Sequence, residues 1–178
     1  MWEIRQEARG DALHIDELSE RSFGPGRFVK TVYRLREGVN AEQHLGFVAI
    51  EEGVLRGSVR FWPICVGTEA SLMLGPLAVQ PDQRGRGIGI ALMNRGIEEA
   101  RARGHRAISL VGDLPYYARV GFAVIARGRI KFPGPVDPAR ILGLALVDGA
   151  IGALEGSVHR ARLDDPVCAD GAPLGMAG

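Results

Sequence analysis

One stretch near the middle of the chain restricts the fold more than any other. The apolar run at residues 72–79 is followed by a polar turn and then by residues 84–89, where three glycines alternate with two arginines. A long amphipathic segment opens at Ile88. Glycines let backbone N–H groups approach a ligand closely, and a helix start adds unpaired N–H groups and a positive dipole end. The stretch therefore predicts a strand–loop–helix unit whose loop binds a diphosphate.

Three other interpretations of this loop compete with that one. A plain connection without a ligand would leave Arg84 and Arg86 to repel each other beside a helix start, so it is disfavoured. The phosphate loop of nucleotide hydrolases needs Gly-Lys-Ser or Gly-Lys-Thr, which does not follow here. A dinucleotide-binding loop needs Gly-x-Gly-x-x-Gly directly after the strand. Residues 80–84 intervene here, and Ile90 stands where the third glycine belongs, so the spacing excludes it.

The loop resembles the acetyl-CoA-binding motif of the GNAT superfamily of N-acetyltransferases. Residues 84–89 match every fixed position of the pattern Gln/Arg-x-x-Gly-x-Gly/Ala. Pro76 lies where the family's fourth strand carries a bulge, a place where a strand tolerates proline. A second match is similar to the family's aromatic-Tyr-x-x-x-Gly-Phe segment and follows about thirty residues later, at residues 116–122. Two motifs in the right order make the resemblance specific, and it covers roughly residues 2–130.

The resemblance implies an α/β (α+β) fold. Its central sheet is mixed and mostly antiparallel, with one parallel, splayed strand pair, and helices flank it. We expect a single acetyltransferase-like domain over residues 1–163. Residues 164–178 are rich in Gly, Ala, Pro and Asp, and we expect them to form a flexible tail.

Local patterns predict the order of the elements. The predicted strands are residues 2–7, 45–50, 54–64, 71–79, 107–111 and 122–126, and residues 141–147 and 154–160 are predicted to form a last hairpin. The predicted helices are a first helix capped by Asp11, then residues 28–36, 88–103 and 114–119. The unit of strand 71–79, helix 88–103 and strand 107–111 is a right-handed βαβ crossover.

Composition limits the function classes. The chain has 178 residues, and 46% of them are hydrophobic, which is enough for a single hydrophobic core. Its formal net charge is +1, so electrostatics gives no reason to expect binding to nucleic acid or to an anionic membrane. No apolar run approaches the roughly 20 residues of a membrane span, and the start lacks a secretory signal. We therefore expect a cytoplasmic protein. Cys65 and Cys168 are too few and too far apart to indicate a disulfide framework, and scattered histidines indicate no metal site.

The resemblance also implies where acetyl-CoA binds. In the family, the diphosphate sits on the loop amides and the pantetheine arm extends between the two splayed strands. An unpaired buried amide costs about 1–3 kcal/mol, so the free edge of the strand favours the amides of pantetheine. The expected cofactor-binding residues are Leu77, Ala78, Val79, Arg84, Gly85, Arg86, Gly87, Ile88 and Gly89.

Alignment of Gly121 and Phe122 with the second motif places Tyr117, not Tyr116, at the family's catalytic acid position. There the phenol faces the sulfur of the thioester and helps the thiolate leave. A packed aromatic without a catalytic role is the competing interpretation.

Three residues are candidates for the base that takes the amine's proton, namely Glu69, Asp113 and His44, with a water relay as the alternative. The chain departs from the common family pattern, which has Asn a few residues before the tyrosine. Gly112 and Asp113 occupy that region here, and the arrangement of the amine and sulfur sides stays open.

The function that the resemblance implies is acetyl transfer from acetyl-CoA to a primary amine, small or peptide-borne, by direct attack in a ternary complex. An acyl-CoA-binding sensor without transferase activity is the alternative. A modifier that docks a nucleic acid is the third, and no basic patch supports it once Arg84 and Arg86 are assigned to phosphate. We expect no metal, nucleic acid or membrane partner, and a homodimer is left open.

Overall fold

A computed structural model of the chain describes residues 1–26, 31–161 and 168. Its strands are β1 (Glu3–Gln6), β2 (Phe47–Glu51), β3 (Val54–Val66), β4 (Glu69–Val79), β5 (Ala107–Val111), β6 (Ala123–Val124), β7 (Ile130–Lys131), β8 (Ile141–Ala145) and β9 (Gly156–Arg160). Its helices are α1 (Ala12–Phe23), α2 (Thr31–Arg34), α3 (Ile88–Ala102), α4 (Leu114–Tyr117) and α5 (Ala150–Ala153).

The central sheet follows the order β1-β2-β3-β4-β5-β8-β6. Neighbouring strands along this order are antiparallel except β4 and β5, which run parallel. The parallel pairing of β4 and β5 results from the crossover through α3, because a parallel connection needs an element that returns the chain to the starting edge. Off this path, β7 and β9 also pair in parallel. This arrangement confirms the predicted mixed, mostly antiparallel sheet with flanking helices.

Helix α3 packs its apolar face on the sheet. Its buried side chains repeat at helical spacing and are Ile88, Leu92, Met93, Ile97 and Ala100. They join Phe47 and Phe61 from the strands in the largest hydrophobic cluster. This packing fixes the start of α3, and with it the glycine-rich loop, against the end of β4.

Strand β4 is irregular at the predicted position. Leu74 lies opposite Phe61 and Leu77 lies opposite Val59, so the register with β3 shifts across Gly75 and Pro76. The peptide bond between these two residues is cis, and the indole N–H of Trp62 donates a 2.7 Å hydrogen bond to the Gly75 carbonyl. The bulge that Pro76 predicted is therefore confirmed.

The predicted C-terminal hairpin is wrong. Strand β8 pairs with β5 and β6, whereas β9 pairs with the far end of β3 and with β7. Helix α5 lies between β8 and β9 in the chain and separates them. Both segments have the apolar content of strands, but periodicity does not specify which partner a strand finds.

The expectation for the cysteines is also wrong. Cys65 in β3 and Cys168 form a disulfide, with their Cα atoms 5.6 Å apart, and both are buried with Ala161. Because 103 residues separate the two cysteines in the sequence, no local pattern indicates that they pair. Apart from Cys168, the predicted tail at residues 164–178 lies outside the described residues, as does part of the predicted helix at 28–36. The division into a domain and a tail stays a prediction.

Candidate active site

A first cavity of about 590 Å³ lies at the end of β4. Residues 77–79 of the strand, the glycine-rich loop and the start of α3 form one wall. Helix α4 and the end of α1 form the other walls, with Tyr116, Tyr117 and Phe23. The structure therefore brings the two sequence motifs, which lie about thirty residues apart, to one cavity.

The glycine-rich loop has the backbone conformation that its sequence predicts. Gly85 and Gly87 have φ values of 82° and 84°, in the left-handed region that favours glycine. A Cβ atom on either would meet no atom within 4 Å, so the loop faces open space. The helix's first backbone hydrogen bond runs from the Ala91 N–H to the Gly87 carbonyl, at 3.0 Å. The amides ahead of Ala91 are those that a helix start leaves for an anion.

The two arginines of the loop have different surroundings. Arg84 lines the cavity. Arg86 instead donates two hydrogen bonds of 2.9 Å to the carboxylate of Glu51, and it also contacts Gln83. The hydrogen bond from Arg86 lowers the pKa of Glu51 to about 2. Glu51 therefore supplies the anion that offsets the repulsion between the two loop arginines. Of these two, Arg84 lines the cavity, and Arg119 lines it as well.

The edge of β4 that faces β5 is free at the cavity. The parallel ladder joins Leu72 to Ile108 and Met73 to Ser109 and goes no further. On its other edge, β4 stays paired with β3 over residues 77–79. A free strand edge, open loop amides and Arg84 together fit the amides and the diphosphate of coenzyme A.

Tyr117 is held between two cavities by its contact with Gly112. A Cβ atom on Gly112 would collide with Cε2 of the Tyr117 ring, so the missing side chain lets the ring lie on the end of β5. Phe122 packs edge-on against the same ring, with centroids 6.1 Å apart. Burial raises the pKa of Tyr117 to about 12. The phenol therefore keeps its proton at every physiological pH.

Tyr116 takes a different direction from the same short helix. Its hydroxyl lies against Gly89, where an added Cβ would collide with it. It lines the first cavity but not the second. Burial raises its pKa as well. The two tyrosines thus face different parts of the site, as their positions around a helix predict.

A second cavity of about 270 Å³ adjoins the first. The residues that line both are Phe23, Leu77, Asp113 and Tyr117. Of the predicted base candidates, Asp113 lies here, and Arg140 Nε approaches its carboxylate at 3.3 Å. Glu69 lies at the opposite end of β4, and His44 lines a separate cavity.

Sequence reasoning missed three polar residues of the second cavity, Tyr33, Arg36 and Arg140. None belongs to a motif, and no spacing links them to residues 84–89 or 116–122. Within the described ranges, no three His, Cys, Asp or Glu side chains gather as a metal site requires. In the same part of the chain, no helix has the length and apolar character to cross a membrane.

Comparisons with known proteins agree with this geometry. The model of the acetyltransferase (GNAT) family matches residues 12–122. The chain is 35% identical over 161 residues to the uncharacterised N-acetyltransferase YhbS of Escherichia coli (strain K12), covering 88% of this chain and 94% of that protein.

Solved structures give the same result. The crystal structure of YhbS from Escherichia coli in complex with CoA has a TM-score of 0.75 and 32% identity, covering 90% of this chain and 89% of that one. A GNAT family acetyltransferase from Brucella melitensis, in complex with acetyl-CoA, has a TM-score of 0.60 and 30% identity, covering 81% of this chain and 96% of that one. The similarity therefore extends over most of the chain and is not limited to its two motifs.

Proposed function

The chain belongs to the acetyltransferase (GNAT) family and is an N-acetyltransferase that uses acetyl-CoA, and from this premise we propose that it acetylates a primary amine by direct attack in a ternary complex. The observation that carries the proposal is the wall that the two cavities share. A donor in the first cavity and an amine in the second can meet beside Tyr117 without a covalent enzyme intermediate. Acetyl-CoA supplies the activated acetyl thioester.

We propose that the diphosphate is held by the amides of residues 85–89 and by the guanidinium of Arg84. Arg86 contributes its amide, because its side chain is paired with Glu51. Ile88 and Gly89 add the first-turn amides of α3. The free backbone groups of Leu77, Ala78 and Val79 bind the pantetheine arm as a partner strand would.

Tyr117 acts as a hydrogen-bond donor to the leaving sulfur. Its pKa of about 12 lies well above the value of about 8.5 for a thiol, and complete proton transfer to the thiolate costs about 5 kcal/mol. A hydrogen bond that strengthens as charge develops on sulfur carries no such cost. The buried phenol therefore stabilises the transition state while keeping its proton.

Asp113 attracts the acceptor amine to the shared wall. Its carboxylate is 79% exposed and reaches both cavities, so solvent can remove the ammonium's proton beside it. The α-amine at the N-terminus of a peptide, with a pKa of about 7.8, is neutral in about a quarter to a third of molecules near pH 7.4, whereas a lysine amine is neutral in about one in a thousand. The site thus suits an α-amine, for which a water relay suffices.

A thiol-release assay with acetyl-CoA tests the proposal against a panel of amines: spermidine, aminoglycosides, amino acids and short peptides. Release above the rate of hydrolysis with at least one amine, and mass spectrometry of the acetylated product, is the expected result. Binding of acetyl-CoA without transfer to any amine would instead identify a sensor. We further propose the cytoplasm as the working compartment, because the donor is an intracellular metabolite.

A further inference from the structure

The second cavity contains a cation that has no carboxylate partner among the described residues. The guanidinium of Arg36 lies over the Tyr33 ring at 4.8 Å and over the Trp62 ring at 5.6 Å. Tyr33 also hydrogen-bonds to it. The Nε atom of Arg36 is buried and has no hydrogen-bond partner. Arg60, another cation, also acts on it and lowers its pKa further.

A charge without a counter-ion is energetically unfavourable in the surroundings of Arg36. Burial lowers the pKa of its guanidinium to about 10, so it stays charged near neutral pH. Gly75 has no side chain there, and a Cβ atom on it would lie 2.9 Å from Nη2 of Arg36. The Gly75 carbonyl is already an acceptor for Trp62. The protein therefore makes room for a half-buried cation whose Nε lacks an acceptor, and an anion in the cavity would supply one.

The other charged groups of this cavity are already paired. Arg140 lies against Asp113, at the wall shared with the first cavity. Most of the remaining lining is apolar, with side chains from Val32, Leu74, Pro76 and Val111. The cavity thus has an acidic group where the amine must react, a cation that no carboxylate of the described residues neutralises, and apolar surface around them.

We propose that the acceptor is an amino carboxylate whose amine reaches Asp113 and Tyr117 while its carboxylate pairs with Arg36. The inference rests on the proposed acetyl transfer and specifies its substrate class. A volume of about 270 Å³ falls just below the usual range of about 300–1,000 Å³ for ligand pockets, which suits an amino acid or a very short peptide. Recognition of the carboxylate would make the enzyme select this acceptor over polyamines and aminoglycosides, whose charged groups are all cations.

Matched acceptors test the carboxylate directly. Each amino acid of a panel is compared with its amide, which keeps the side chain and loses the charge, in the thiol-release assay. We expect kcat/KM for the better amino acids to exceed that of their amides by about ten- to a hundredfold, the usual range for a charge-assisted hydrogen bond. The amine of an amide is less basic and more often neutral, so basicity alone would give the opposite order.

Variants of Arg36 locate the effect. In Arg36→Met the preference for the carboxylate should fall to about one, whereas Arg36→Lys, which keeps the charge, should retain part of it. A rise in melting temperature on adding coenzyme A shows that each variant is folded. N-acetylated products give a readout without turnover: N-acetyl amino acids should stabilise the parent more than their amides do, and Arg36→Met should remove this difference.

The outcomes separate this inference from the proposed function. If the parent protein acetylates amino acids and their amides with equal kcat/KM, the inference that the acceptor's carboxylate is recognised is wrong, and the proposed acetyl transfer is unaffected. A preference that survives in Arg36→Met overturns the role of Arg36. Absence of transfer to every amine overturns the proposed function, and the thermal shifts with the N-acetyl compounds then decide alone whether Arg36 binds a carboxylate.

Discussion

The ring of Tyr117 lies directly on Gly112, where any side chain would collide with it. Gly112 directly follows β5, and its N–H donates a 2.9 Å hydrogen bond to the Arg140 carbonyl. Its position is therefore fixed by the backbone, and the ring that rests on it is fixed in turn. This contact occupies the region where the common family pattern has Asn, and it holds the Tyr117 ring at the wall that both cavities share.

Gly112→Ala should lower kcat at least tenfold with little change in coenzyme A affinity, because the added methyl displaces the Tyr117 ring and misplacement by about 1 Å costs up to about a hundredfold in rate. The φ angle of Gly112 is not in the left-handed region, so alanine fits the backbone. Gly152→Ala in α5, where a Cβ meets no atom within 4 Å, is the control and should leave kcat unchanged. If both variants have the same kcat, the contact between Gly112 and the Tyr117 ring does not contribute to catalysis.

Tyr117→Phe should lower kcat by about 10²–10³-fold, the range for removing one preorganised hydrogen-bond donor to a developing charge, because it removes the hydroxyl and keeps the ring. Tyr116→Phe changes a hydroxyl that lies against Gly89 and should be much milder. Steady-state kinetics and coenzyme A titration separate the rate from binding. Similar losses in both variants would indicate a shared structural role, and loss in neither would assign protonation of the thiolate to water.

The pH profile of the parent provides a second check on Tyr117. Its pKa is raised to about 12, so the phenol stays protonated below that value and only loses its proton above it. The rate should therefore rise with pH as the acceptor amine becomes neutral, without a falling limb before about pH 11 in the range where the protein stays folded. A falling limb near pH 9 that disappears in Tyr117→Phe would contradict the raised pKa.

Arg84→Ala should weaken coenzyme A binding by about tenfold, since it removes a charge-assisted contact with phosphate. Arg86→Ala should change the affinity by less than about threefold, because its guanidinium is committed to Glu51. Calorimetric titration at two salt concentrations measures both, and the salt dependence should be flatter in Arg84→Ala only. Greater loss in the Arg86 variant would show that this side chain leaves Glu51 for the ligand.

Sequence reasoning predicted the local structure of the candidate site where the signals lie close together in the chain. A glycine, its neighbours and the helix that follows lie within one turn of one another, so Gly85, Gly87 and the start of α3 could be predicted from their order alone. Tyr117 followed from a short motif. In these segments the backbone conformation is set by residues that adjoin in the chain.

The remaining features depend on contacts between distant segments. Glu51 is 35 residues from Arg86, and nothing near either residue indicates that they pair. Arg36 looks like any surface arginine until the fold encloses it between Tyr33 and Trp62. The pairing of β9 with β3 follows the same rule, because many strand partners satisfy one hydrophobic pattern.

Reduction of the disulfide should destabilise the protein without affecting catalysis. Closing so long a loop contributes about 2–4 kcal/mol in typical cases, and the bond lies near the start of β4, away from residues 77–79. Cys168→Ser should lower the melting temperature, and dithiothreitol should lower that of the parent by a similar amount and leave the variant unchanged. Loss of kcat on reduction would instead connect this end of the sheet to the site.

The wall that both cavities share also makes their occupants interdependent. A ligand that packs against Leu77 and Phe23 from one side of this wall restricts their side chains for a ligand on the other side, so we expect the two to bind cooperatively. Thermodynamic linkage makes the effect reciprocal: whatever factor the donor adds to the affinity for the acceptor, the acceptor adds to the affinity for the donor. A dead-end complex of coenzyme A with an unacetylated acceptor is then tighter than either binary complex, and inhibition at high acceptor concentration is its kinetic consequence.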